Sequence, residues 1–135
     1  GKVNPTLSTV NKILAAIHPK ETKKCKDVVE RNLKFVGPGE NVKKALLIML
    51  KYGISQIPVM KNGAQVGSVS ESTLLKNFER IEGKKVRDIM EKPFPMVDED
   101  EDIDTLPALL EFHQAVLVSS NGKVCGIITK LDILR

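Results

Sequence analysis

The residues best suited to chemistry are two pairs of polar side chains at the same spacing. Thr129 precedes Asp132 and Ser70 precedes Thr73, each pair following a run that contains a glycine, Gly126 or Gly67. A carboxylate at the Asp132 position can accept hydrogen bonds from both hydroxyls of a ribose, a charge-assisted geometry that a neutral side chain matches poorly. The Thr129 hydroxyl, with the unpaired N–H groups that begin a helix, can hold a phosphate or another polar group. Thr129-Lys130-Leu131-Asp132 equally satisfies the S/T-x-x-D/E helix-start pattern, so a plain capping role stays open here. In the Ser70 pair Thr73 stands where the other has Asp132, which weakens any case for ribose recognition there.

Other reactive groupings are poorer. Asp98-Glu99-Asp100-Glu101-Asp102, with Asp104, offers oxygen ligands of the kind hard cations favour. Acidic residues at the start of a helix in solvent explain the same run without a metal, so no metal site is assigned. His18 precedes Pro19, and His113 lies near a helix end with no linked nucleophile. GxSxG, Walker and HExxH patterns are absent, so the chain reads as a non-enzyme without catalytic residues. Cys25 and Cys125 lack CxxC or Cys/His spacing and read as reduced thiols, Cys125 in a strand core.

The elements that position these residues occur twice. Residues 33–36 read as a short strand, followed by the turn Gly37-Pro38-Gly39. Residues 42–52 form an amphipathic helix with Ala45, Leu46, Met49 and Leu50 inward, stopped by Gly53. Strands at 56–60 and 64–69 flank Lys61-Asn62-Gly63, and residues 71–78 form a helix. The second copy opens with Val86-Arg87-Asp88-Ile89-Met90, which matches Cys25-Lys26-Asp27-Val28-Val29. It continues with a short strand at Met96 and Val97, a helix at 106–112, strands at 115–118 and 123–128, and a helix from Leu131. The offset between copies falls from 61 (Val42 to Ile103) to 58 (Pro58 to Val116), so the middle helix loses about one turn. Pro107 agrees, because proline fits only the first turn of a helix. The order β-α-β-β-α, twice over, predicts an α+β fold. Residues 1–21 form a leading helix and linker, 22–80 the first repeat and 84–135 the second.

This ordered duplication resembles a tandem pair of CBS domains, the regulatory Bateman module. The likeness is carried by Asp27-Val28-Val29, Asp88-Ile89-Met90, Ile57-Pro58-Val59-Met60 and Gly126-Ile127-Ile128-Thr129-Lys130-Leu131-Asp132. It implies two repeats packed about a pseudo-twofold axis with clefts for adenosine-containing ligands such as AMP, ATP or S-adenosylmethionine. It further implies that Thr129 and Asp132 serve phosphate and ribose, with Lys130 as a phosphate partner. Met96, Val97, Gln114, Ala115 and Val116 would then enclose the adenine. A second, weaker cleft would be lined by Val36, Ile57, Pro58, Ser70 and Thr73. Such modules commonly form homodimers through their helices.

Gly1-Lys2-Val3-Asn4-Pro5-Thr6-Leu7-Ser8-Thr9-Val10-Asn11-Lys12-Ile13-Leu14 resembles the closing part of a lambda-repressor-like helix-turn-helix domain. The chain lacks an initiating Met, and this resemblance implies a piece of a longer transcriptional regulator that reaches DNA only through a preceding domain. The alternatives are a ligand-free dimerisation module and a regulatory appendage of an enzyme or transporter.

Composition narrows the partners. The net charge of +4 divides unevenly, with 17 Lys and Arg against 8 Asp and Glu in residues 1–90, and 4 against 9 thereafter. A basic half attracts an anionic ligand, and the opposed halves steer each other's docking. Five aromatic residues and no Trp argue against a stacking platform for single-stranded nucleic acid. The longest apolar run, residues 45–50, is too short to span a bilayer, and no secretion signal opens the chain, so a cytoplasmic protein is expected.

Overall fold

The computed structural model describes residues 23–134. The leading helix and its repressor-like resemblance lie outside the described residues.

Helix α1 (Cys25–Val28) is a single turn. Helix α2 (Val42–Tyr52) starts at Asn41, whose side chain accepts the Lys43 N–H, and ends at Gly53 in the left-handed conformation with φ of 64°. Strands β1 (Gln56–Lys61) and β2 (Ala64–Ser70) form an antiparallel hairpin, followed by α3 (Glu71–Lys76). The second copy holds α4 (Val86–Ile89), β3 (Met96–Asp98), α5 (Leu106–Phe112), β4 (Ala115–Ser120), β5 (Lys123–Thr129) and α6 (Lys130–Leu134). The protein is α+β, as the repeat order predicts.

Both hairpins turn on an Asn-Gly pair with positive φ, Asn62-Gly63 and Asn121-Gly122, the conformation a tight hairpin requires. Both also carry a register irregularity at equivalent places, between Val59 and Met60 and between Val118 and Ser119.

Several expected elements differ. Residues 33–36 contribute one parallel bridge, Val36 to Val59, while β3 pairs with β4 over three residues. Gly37 turns the chain away at once, its N–H bonding Glu40 Oε1 at 2.8 Å. Helix α3 stops at Lys76, since the Asn77 side chain donates to the Thr73 carbonyl at 2.8 Å. Helix α5 is four residues shorter than α2 and begins after a 3₁₀ turn, with Pro107 in its first turn. In α2, Val42, Ala45 and Met49 are buried, whereas Leu50, expected inward, is exposed together with Leu47. The helix therefore lays a narrow stripe on the sheet and leaves an apolar flank outside.

Packing interleaves the two repeats. Val86 and Ile89 of α4 join the first core, beside Val36, Val42, Ile57, Val59 and Val69. Cys25 of α1 joins the second, beside Val97, Leu106, Val116, Val118 and Ile128. Each repeat's opening turn thus completes the other's core. Backbone bridges Lys24 to Asp102 and Asn41 to Lys85 make the same exchange. A third cluster, Phe94, Ala115 and Leu117 with Leu33 and Met60 against it, joins the two halves.

Charge reinforces the exchange on one side. Lys24 pairs with Asp102 at 2.7 Å, Lys26 with Asp100 at 3.2 Å and Arg31 with Glu99 at 3.9 Å. The acidic run is therefore a strap for the basic segment that leads into the first repeat. No group of three or more His, Cys, Asp or Glu suited to a metal occurs among the described residues.

Candidate functional site

At the two glycines named above the halves approach too closely to admit a side chain. A Cβ on Gly126 would stand 2.5 Å from the Glu30 carbonyl oxygen and 2.5 Å from Val29 Cγ2. A Cβ on Gly67 would stand 2.6 Å from Met90 Sδ and 3.0 Å from the Glu91 carbonyl oxygen. These approaches allow paired backbone bonds, Glu30 with Ile127 and Ser68 with Glu91. Glu30 and Glu91 hold equivalent positions, so the two crossings are related by the pseudo-twofold arrangement.

Beside the Gly126 crossing lies a cleft of about 450 Å³. Its second-repeat wall includes Gln114, Ile127, Thr129, Lys130, Leu131 and Asp132. The first repeat supplies Glu30, Asn32, Leu33 and Lys34, and the end of α2 with the start of β1, Tyr52 to Gln56. The Thr129 N–H donates to Asp132 Oδ2 at 2.8 Å and its hydroxyl to the same oxygen at 3.2 Å. Capping and a place in the cleft are thus compatible, and both hold for this pair.

Four of the anticipated ligand residues, Thr129, Asp132, Gln114 and Lys130, line this cleft. The other four do not. Ala115 and Val116 are fully buried in cores, Val97 is buried, and Met96 is exposed on β3. Leu33, Lys34, Tyr52, Ile54, Ser55 and Gln56 were not anticipated. Gln56 is the first-repeat counterpart of Gln114, and extending the twofold relation from one to the other points to it.

The residues of the second anticipated cleft, Val36, Ile57, Pro58, Ser70 and Thr73, are all buried. Their polar groups bond one another. The Ser70 N–H donates to Thr73 Oγ1 at 3.0 Å, and the Thr73 N–H to Ser70 Oγ at 3.3 Å. Thr73 Oγ1 donates to Glu91 Oε1 at 3.2 Å, and Lys76 Nζ to Glu91 Oε2 at 3.0 Å. Glu30, the counterpart of Glu91, instead accepts the N–H of Asn32 at 2.8 Å. Pro93 stands where Asn32 does and has no N–H to offer, so Glu91 reaches across to Thr73 and Lys76.

Two thiols lie in or beside the second core. Cys25 is buried, and burial first, then the charges of Glu101, Asp102 and Asp98, pushes its thiol up to about 11. That places it far from a nucleophile at neutral pH. Cys125 is free and partly buried against the same core. Glu40 is held below the usual carboxylate range by its hydrogen bond from Lys44 and the Gly37 N–H.

The CBS domain family model matches residues 25–80 and 86–135. The chain belongs to the CBS domain family. It carries two CBS repeats, and a pair of this kind is a regulatory ligand-binding module. The chain is 38% identical over 112 residues to a zinc metalloprotease, MJ0392, of Methanocaldococcus jannaschii, covering 83% of this chain and 31% of that protein. It is 29% identical over 116 residues to an inosine-5'-monophosphate dehydrogenase of the same organism, covering 85% of this chain and 23% of that enzyme. The CBS pair thus spans a third or less of these two curated relatives. Among solved structures, that of CBSX2 in complex with AMP superposes with a TM-score of 0.72 at 25% identity, over 84% of this chain and 94% of that one. No helix among the described residues is long and apolar enough to cross a membrane.

Proposed function

We propose that this CBS pair senses an adenosine nucleotide bound in the cleft beside Gly126. The observation that carries the reading is that Thr129 and Asp132 stand in a cleft walled by both repeats. Asp132 accepts the ribose hydroxyls, while Thr129 and Lys130 meet the phosphate side. A ligand gripped from both halves stabilises one relative arrangement of the repeats, and only such differential affinity converts binding into a signal. The AMP complex of CBSX2 supports the ligand class. A thermal-shift screen over AMP, ATP, S-adenosylmethionine and NADH tests it. Stabilisation by an adenosine compound that Asp132→Ala abolishes is the expected result; indifference to that substitution removes the site.

The exposed apolar residues Leu47 and Leu50 on α2, Leu75 on α3, and Leu131 and Leu134 on α6 support a homodimer formed through the helices. Sedimentation at micromolar concentration tests this, a monomer being the contrary result. The signal passes to an attached domain. The likeness of residues 1–18 to a repressor tail favours a DNA-binding head in a cytoplasmic transcriptional regulator. The metalloprotease and dehydrogenase relatives favour an enzyme instead. A DNA-retardation assay against an assay for an attached catalytic activity, run on the protein as expressed in its own organism, decides between them.

A second reading, a ligand-free dimerisation module, draws on the bonds that Ser70, Thr73 and Glu91 make with one another. It predicts a tight dimer and no thermal shift with any nucleotide.

A further inference from the structure

We infer that residues 31–35 form a compliant strap, the wall of the cleft that orders when the cleft fills, while the corresponding stretch 92–95 is clamped. The ordering on filling rests on the adenosine-site reading above, whereas the inequality of the two stretches does not.

The strap runs between two anchored points. The Glu30 N–H donates to the Ile127 carbonyl at 2.9 Å, and the Val36 N–H to the Pro58 carbonyl at 3.2 Å. Between them, Arg31, Leu33, Lys34 and Phe35 make no backbone hydrogen bond among the described residues. The Asn32 N–H bonds only its near neighbour Glu30. What holds the strap is side-chain contact. Leu33 packs on the apolar cluster shared by the halves, Arg31 reaches Glu99 at 3.9 Å, and Lys34 Nζ lies 4.4 Å from the centre of the Tyr52 ring. Phe35 is exposed.

The other stretch is fastened along its length. Ser68 Oγ donates to the Lys92 carbonyl at 2.6 Å, and the Leu117 N–H to the Pro95 carbonyl at 2.9 Å. The Phe94 N–H donates to Gln65 Oε1 at 2.8 Å, and Gln65 Nε2 donates back to the Phe94 carbonyl at 3.0 Å. One side chain thus supplies a full rung of backbone-like pairing to a buried residue. Pro93 and Pro95 fix two further φ angles, and the strap has no proline. Met96, the counterpart of Phe35, already belongs to β3.

Sequence explains the difference. Gly67 and Gly126 being equivalent, Val124 stands where Gln65 does and Ile127 where Ser68 does. Neither apolar side chain can offer Leu33, the counterpart of Phe94, the bonds that Gln65 and Ser68 give the other stretch. The unfastened stretch is also the one that faces the cleft. Asn32, Leu33 and Lys34 line it, and residues 92–95 do not. A segment with few backbone bonds opens at low free energy, and an occupant that touches three of its side chains supplies the contacts it lacks. Filling the cleft therefore orders the strap between its two anchors and leaves the clamped stretch as it was.

The test is amide hydrogen exchange of the whole chain, resolved by residue and corrected for intrinsic rates, with AMP as the probe. In the free protein Leu33, Lys34 and Phe35 are expected to exchange at least about tenfold faster than Phe94. Gln65→Val, which copies Val124, is expected to bring Phe94 to within about threefold of Leu33. Lys34→Pro, which copies Pro95, is expected to slow Leu33 and Phe35, and it decides the matter if Gln65→Val does not fold. AMP is expected to slow Leu33 to Phe35 by about threefold or more and to leave Phe94 within about twofold. Equal rates at Leu33 and Phe94 in the free chain, or a gap that both variants leave untouched, would overturn the clamp. AMP that binds by calorimetry without slowing residues 33–35 overturns the ordering of the strap. AMP that does not bind at all overturns the adenosine site and the ordering with it, while the free-chain rates still decide the clamp.

Discussion

The Thr73 hydroxyl donates to Glu91 Oε1 at 3.2 Å, a contact between the repeats that has no counterpart at the other crossing. There the equivalent glutamate, Glu30, is satisfied by the N–H of Asn32, and the carboxylate at the Thr73 position is Asp132, bonded to Thr129. One proline, Pro93, accounts for the difference by removing the N–H that would have held Glu91 at home. The two crossings are therefore not interchangeable. A Thr73→Asp substitution would set a carboxylate against Glu91 in a fully buried position. It is expected to cost about 2 kcal/mol or more, and Glu91→Gln in the same chain is expected to recover a large part. Urea denaturation of the single and double variants measures this coupling; additive effects would show that the two side chains do not meet.

Alanine at the two close-approach glycines should not cost the same. At Gly126 the obstacle includes the backbone carbonyl of Glu30, which cannot move without breaking the Glu30–Ile127 bonds. At Gly67 the nearest obstacle is the flexible Met90 side chain. Gly126→Ala is expected to destabilise by about 2–3 kcal/mol and Gly67→Ala by about 1 kcal/mol, from thermal or urea unfolding. The reverse order would mean the first crossing is the tighter one.

Because each opening turn completes the other repeat's core, neither repeat is a self-sufficient folding unit. Residues 84–135 expressed alone lack Cys25 and the Lys24–Asp102 bridge. Circular dichroism of that fragment is expected to show no cooperative melting, while the whole chain unfolds in one transition by every probe. A cooperative transition in the fragment would contradict the interleaving.

Alkaline pH should weaken the fold through Cys25. Its native thiol ionises near 11, above the ordinary value of 9.0. The unfolded chain therefore releases that proton first, and the stability this group contributes is intact below pH 9 and lost as pH rises toward 11. Denaturation midpoints across pH 8–11 should fall, and Cys25→Ala should flatten the decline while lowering stability at pH 8. An equal decline in that variant would assign it to other groups.

Much of this architecture is legible locally. The Asn62-Gly63 and Asn121-Gly122 turns, the stop at Gly53 and the shortened helix at Pro107 follow from what each residue's backbone permits. The Thr129–Asp132 cap is legible for the same reason, a fixed spacing at a strand–helix junction, while its reading as a ribose and phosphate site comes from the family resemblance. What surrounds them was not. The family resemblance implies Met96, Val97, Ala115 and Val116 as lining, all from the second repeat, whereas Lys34, Tyr52 and Gln56 reach the cleft only because the halves interleave. Such long-range packing leaves no local pattern. The lost N–H at Pro93 is visible in the chain, but its consequence for Glu91 needs the distance to Thr73.

The central claim is a single adenosine site between the repeats, gripped by Asp132, and the stoichiometry of AMP binding tests it most directly. Titration calorimetry should give one AMP per chain in wild type, one with undiminished affinity in Thr73→Ala, and none detectable in Asp132→Ala. Two equivalents in wild type, or binding that survives Asp132→Ala and disappears in Thr73→Ala, would contradict it.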